Sequence, residues 1–128
     1  MDVARRSRSG DALKFAHLYA GSDGTSHFKD VEVEMKDAGN RGQRSEPMKA
    51  TGIFFSTTGA DYDLDYHNAP RRQFVITLEG QVEITASDGT KRLFGPGDIM
   101  LADDTTGRGH ISRAVKNKPR KAIFVTID

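Results

Sequence analysis

Two stretches decide the fold: Tyr66-His67-Asn68-Ala69-Pro70-Arg71-Arg72-Gln73-Phe74-Val75-Ile76-Thr77-Leu78-Glu79-Gly80 and, further on, Gly95-Pro96-Gly97-Asp98-Ile99-Met100-Leu101-Ala102. In each, polar or turn-forming residues give way to a short apolar run of strand length. The first sets His67 and Gln73 at the lip of its strand, and His110 follows the second. A β-hairpin is expected between the two, turning at Ser87-Asp88-Gly89-Thr90. Gly95-Pro96-Gly97-Asp98 is the strongest turn in the chain. Proline fixes φ at its second position and glycine supplies positive φ at its third, as a type II turn requires. The pattern predicts a small antiparallel barrel with a site at its mouth.

Outward from these stretches, helix-period segments are almost absent. Short alternating runs are cut by Gly, Asp, Asn and Pro, which is the pattern of an all-β protein. Strands are expected over 14–20 and 27–36, joined at Gly21-Ser22-Asp23-Gly24. A buried strand is expected over 51–57, and a loop over 38–47. Residues 73–78 and 81–86 read as a hairpin around Glu79-Gly80, and strands over 91–94, 99–102, 110–115 and 121–127 follow. That makes about eight or nine strands, enough for a closed or double-sheet architecture.

The pleat of the first stretch carries a further expectation. If Gln73 points inward, Val75 and Thr77 do too, and Phe74, Ile76 and Leu78 point outward. Three large apolar side chains call for a cover, either the N-terminal strands or a second subunit. A homodimer is therefore expected.

The chain of 128 residues fits one domain, taken as 13–128, behind a disordered or loosely attached tail over 1–12. Arg5, Arg6 and Arg8 read as part of that solvated tail. Nineteen basic residues against 18 acidic ones leave a formal net charge of +1, no footprint for nucleic acid or an anionic membrane. There is no cysteine, which excludes disulfides, zinc-thiolate sites and cysteine nucleophiles. No apolar run reaches the length of a membrane span or a signal-peptide core, so a soluble cytoplasmic protein is the expectation.

The same stretches resemble the two motifs of the cupin superfamily, commonly written G-x5-H-x-H-x3,4-E-x6-G and G-x5-P-x-G-x2-H-x3-N. Gly80 closes the first motif, Gln73 stands where the family carries Glu, His67 takes the first His position and Ala69 the second. Gly97 opens the second motif and Asp103 replaces its Pro. Arg108 falls where the His belongs, but a two-residue extension of the loop Thr105-Thr106-Gly107-Arg108-Gly109 brings His110 into that role, with Ala114 at the final Asn. The resemblance implies a cupin-type jelly-roll barrel. It does not select an activity, since cupins include oxygenases, isomerases, lyases, sugar-binding regulators and storage proteins.

What it implies for the site is a small-molecule pocket around His67, Gln73 and His110. A divalent metal of the family (Fe, Mn, Ni or Zn) is usually held by three His and one Glu. Here the ligands would be His67, Gln73 and His110, with Asp65 as a candidate carboxylate by strand parity. Gln is neutral and a weaker donor than Glu, so a metal-free polar pocket in which Gln73 hydrogen-bonds both imidazoles competes with the metal site. Candidate catalytic residues are His67, His110, Arg71 and Tyr66. Arg71 shares parity with Gln73 and could clamp an anionic substrate, or pair at the surface with Asp103 or Asp104. Tyr62 and Tyr66 could donate a proton or pack at the rim. Two functions are open: an enzyme acting on a small polar or anionic metabolite, and a non-catalytic binding or sensor module using the same pocket.

Overall fold

The computed structural model describes residues 12–128. The expected tail lies outside them apart from Ala12, which is exposed. The strands are β1 (Lys14–Ala20), β2 (Ser26–Glu32), β3 (Lys36–Asp37), β4 (Gln43–Arg44), β5 (Ala50–Thr58), β6 (Asp63–His67), β7 (Gln73–Glu79), β8 (Val82–Ala86), β9 (Lys91–Phe94), β10 (Ile99–Asp103), β11 (His110–Ala114) and β12 (Arg120–Ile127). No α-helix forms among the described residues, and none is long and apolar enough to cross a membrane.

Two sheets carry the fold, in the orders β2-β1-β10-β7-β12-β5 and β6-β11-β8-β9. Within the last eight strands the pairing is nested. The first pairs with the last, β5 with β12; then β6 with β11, β7 with β10, and β8 with β9, all antiparallel. A long hairpin that curls onto itself in this way is a jelly roll. β1 extends the larger sheet by pairing in parallel with β10, and β2 pairs antiparallel with β1.

Two expected elements come out differently. β7 and β8 are not a hairpin, because they lie in opposite sheets. Gly80 sits against the backbone of Pro119 and Arg120, and the chain crosses from one sheet to the other there. The strand expected to run to Lys36 stops at Glu32, and a two-residue ladder, β3 with β4, occupies part of the expected loop. The Gly95-Pro96-Gly97-Asp98 turn forms as read, with Asp98 N donating to Gly95 O at 2.9 Å.

Between the sheets sits a cluster of buried side chains that includes Leu18, Val75, Val82, Ile84, Phe94 and Met100. Ala16, Ala69, Ala86, Ala102 and Ala122 also belong to it. Burying apolar surface stabilises the sandwich. So many small residues at inward positions leave part of the interior unfilled.

The pleat of β7 follows the expectation on its inner side, where Gln73, Val75 and Thr77 are buried. Its outer side is only partly covered. Phe74 meets Phe15 of β1 edge-to-face at 5.2 Å between ring centres, but Leu78 is 52% exposed. The N-terminal strands extend the same sheet and therefore cannot lie over that face. β5, read as buried, is instead an edge strand, and Phe55 is 69% exposed. A run such as Gly52-Ile53-Phe54-Phe55 looks the same in sequence at the centre of a sheet and at its rim.

Candidate active site between the two sheets

Strand pairing brings the two histidines together. His110 opens β11 directly opposite His67, which closes β6. Their rings are 4.4 Å apart, centre to centre. The close approach depends on Gly109. A Cβ there would lie 2.1 Å from the carbonyl oxygen of His67, and φ is +80°, in the left-handed region that glycine tolerates. Gln73 enters from the facing sheet, at the start of β7.

Each imidazole is oriented through Nδ1. His67 Nδ1 donates to the carbonyl of Asp65 at 2.7 Å. His110 Nδ1 donates to the Asp104 carboxylate at 2.5 Å. In the neutral Nδ1–H tautomer that these bonds favour, Nε2 carries the lone pair of each ring. Asp104 is fully buried, and its second oxygen, Oδ1, has no hydrogen-bond partner. Its own carbonyl accepts from Ala69 N at 3.2 Å and from Asn68 Nδ2 at 3.3 Å, so the segment after β6 pins the loop that holds the carboxylate.

A cavity of about 270 Å³ adjoins these groups. His67, Gln73 and His110 line it, with Val75, Met100 and Phe124 among its apolar walls and Tyr62, Ser112 and Arg120 among its other polar residues. Gln73 Oε1 is buried without a hydrogen-bond partner. Arg120 is 6% exposed, and its Nε is likewise buried and unpartnered. Burial pushes the Arg120 guanidinium below the usual arginine range, opposed by the nearby Tyr62. The cavity is larger than a filled core would leave and close to the lower limit of ordinary ligand pockets.

The expected residues divide clearly. His67, Gln73 and His110 converge as read. Arg71 is exposed and does not line the cavity. Its neighbour Arg72 makes the surface ion pair, with Nε 2.9 Å from Asp103, which also binds His17 Nε2 at 2.8 Å. Tyr66 faces outward beneath Arg108 at 4.6 Å, and Tyr62 takes the place at the cavity. Asp65 is exposed and contributes its carbonyl to His67, not its carboxylate to the cavity.

Parity fails for Arg71 because the strand does not begin until Gln73. Asp104, expected only as a surface partner for Arg71, is instead buried against His110, and Arg120 carries no sequence signal that marks it as a site residue. Asp104 lies in the extended loop, outside any strand period, and Arg120 belongs to the basic run Lys118-Pro119-Arg120-Lys121, which reads as a solvated turn.

The nested pairing with paired imidazoles at one end of the interior decides the architecture. The fold is a jelly roll, the architecture that the resemblance to cupins implies. No family model and no curated protein matches the chain. Among solved structures, the chain is similar to a conserved protein of unknown function from Streptococcus pyogenes (18% identity, 66% of this chain and 69% of that one, TM-score 0.49). It is also similar to a cupin 2 conserved barrel domain protein from Leptotrichia buccalis (12% identity, 100% and 47% covered, TM-score 0.49). A third is a cupin-superfamily sugar phosphate isomerase from Silicibacter pomeroyi (16% identity, 94% and 73% covered, TM-score 0.49). These likenesses are too distant to fix a family, and the jelly-roll architecture stands on the strand order.

Proposed function

We propose that the cavity is an active site for proton transfer on a small polar metabolite. The observation that carries this reading is the buried bond from His110 to Asp104, with His67 alongside and the cavity in front. A carboxylate behind an imidazole fixes its tautomer and complements the imidazolium formed when the ring takes a proton. His110 Nε2 then serves as general base, and His67 Nε2 returns or receives the proton as the second group. Gln73 offers Oε1 to a substrate hydroxyl. Isomerisation and elimination beside a carbonyl both fit this equipment.

The test is exchange of substrate carbon-bound hydrogen with solvent. Short oxo- and hydroxy-acids are incubated in heavy water with the protein and followed by NMR. Catalysed exchange that disappears in His110→Gln supports the enzyme. Binding without exchange in any member of the set would reject it in favour of a binding or sensor module.

A second reading of the same residues is a divalent metal site. It is favoured by the orphaned Gln73 Oε1 and by two imidazoles whose Nδ1 atoms both meet oxygen acceptors, as metal-ligating histidines usually do. His67, His110 and Gln73 would hold the ion, which would supply Lewis-acid polarisation of a bound oxygen. The set fits in orientation and is sparse in charge: among the described residues no group of three or more His, Cys, Asp or Glu is arranged to hold a metal ion. Stoichiometric iron, manganese, nickel or zinc in purified protein, lost in both His67→Ala and His110→Ala, is the expected signature. An empty wild-type protein after incubation with each metal would reject it.

A further inference from the structure

We infer that Arg120 is the anion-recognising residue of the cavity, and that the ligand is a short, elongated monocarboxylate. This rests on the cavity being a small-molecule site, and it adds which molecules enter.

Arg120 is inconsistent with a structural role. A largely buried guanidinium without a carboxylate costs stability, because much of its hydration is lost and no opposite charge offsets it. Among the described residues the arginines that form ion pairs are Arg72, Arg92 and Arg113, each with an aspartate. Arg120 forms none, and its Nε lacks even a neutral hydrogen-bond acceptor. Natural cores rarely keep such a cation unless something else neutralises it.

The geometry gives the ligand its shape. Along β12 the inward side is Arg120, Ala122, Phe124 and Thr126, and Thr126 pairs with Gln73 across the ladder. Six strand steps lead from the Arg120 backbone to that level, about 20 Å. The guanidinium and Tyr62 therefore serve one end of the cavity and the imidazoles and Gln73 the other. Phe124, Val75 and Met100 form an apolar waist between them. A ligand that satisfies all three zones has an anion at one end, a few carbons in the middle and a polar group at the other end.

The charge is that of a carboxylate. One guanidinium balances one negative charge through paired N–H donors. A phosphate dianion would want a second cation or a ring of backbone amides. Neither Lys nor a second Arg lines the cavity.

Straight-chain carboxylates of three to six carbons, the matching primary alcohols and inorganic phosphate serve as probes, with binding measured by calorimetry. Wild type is expected to bind at least one carboxylate at least tenfold more tightly than its alcohol and than phosphate. Arg120→Gln should abolish that preference, and Arg120→Lys should retain part of it. His110→Gln should keep the carboxylate-over-alcohol preference even where overall affinity falls, since it alters the opposite end, so loss of catalysis there leaves this inference standing. Thermal melting without ligand adds a second readout. Arg120→Met should melt at or above the wild-type temperature, because an unpaired buried charge has been removed. No preference for carboxylate in wild type, tighter phosphate binding, unchanged preference in Arg120→Gln, or a large drop in the melting temperature of Arg120→Met would each overturn the assignment.

Discussion

Gly109→Ala tests directly how the site is built. The new Cβ would meet the His67 carbonyl oxygen at 2.1 Å, its carbonyl carbon at 2.4 Å and the Asn68 nitrogen at 2.8 Å. All three are backbone atoms, so no side chain can swing aside. Restoring contact distances of about 3.5 Å means parting the ends of β6 and β11 by roughly 1 Å or more. Overpacking of this kind costs about 1–3 kcal/mol. Holding a non-glycine residue at φ +80° adds about 1–2 kcal/mol. The sum is about 2–5 kcal/mol, a large share of the ~5–15 kcal/mol available to a domain.

Urea denaturation measures the loss. Gly89→Ala is the control, since φ there is +97° with nothing within 4 Å of the new Cβ. It should lose only the conformational part. Gly109→Ala should also separate the imidazoles and abolish any solvent-exchange activity. If the two variants differ by less than about 0.5 kcal/mol, the size of an ordinary surface effect, the packing of β6 on β11 is not as described.

Three further outcomes are expected. Asp104→Asn should cost about 1–3 kcal/mol, because amide hydrogens replace a buried acceptor, and it should release His110 from its Nδ1–H tautomer. Nitrogen NMR of the ring reads this directly, and an unchanged tautomer would remove Asp104 from its orienting role. His27 should make stability pH-dependent. Desolvation lowers its pKa, but hydrogen bonds to Asp23 and Asp88 and their charges outweigh this and raise it above 6.5. A raised folded-state value means that the contribution is complete below pH 6.5 and fades as pH rises through the folded pKa. The stability gap between wild type and His27→Gln should therefore narrow as pH rises above 6.5, and a gap that widens would contradict the sign. Finally, we propose that a second copy covers the outer face formed by Phe74, Ile76, Ile99, Val125, Ile53 and Phe55. Four strands spaced about 4.8 Å apart and about 20 Å long present roughly 400 Å² in projection. With pleating and both copies counted, this approaches the ~1,000 Å² expected of a specific interface. Light scattering should give twice the chain mass, and Phe55→Asp should give a folded monomer. A wild-type monomer at every concentration would rule the dimer out.

Much of this protein was legible in one dimension. Alternation from Gln73 to Thr77 gave the buried face of β7, because a pleated strand turns successive side chains to opposite sides. The Gly95-Pro96-Gly97-Asp98 turn was readable because its two glycines and proline leave few backbone conformations. His67, Gln73 and His110 could be singled out as polar groups at strand lips, and the family resemblance supplied the reason to bring them together.

Tertiary structure alone decided the rest. Whether the run at Ile53-Phe54-Phe55 lies at a centre or an edge depends on its neighbours across the sheet, and local sequence is blind to them. The turn at Glu79-Gly80 could equally close a hairpin or change sheets, and contact with Pro119 selects the second. Asp104 became the orienting carboxylate, and Arg120 the buried cation, only when distant strands enclosed them. Exposure and electrostatic environment belong to a residue's surroundings in space, so a charged side chain in a basic run carries no local sign that it will point into the core.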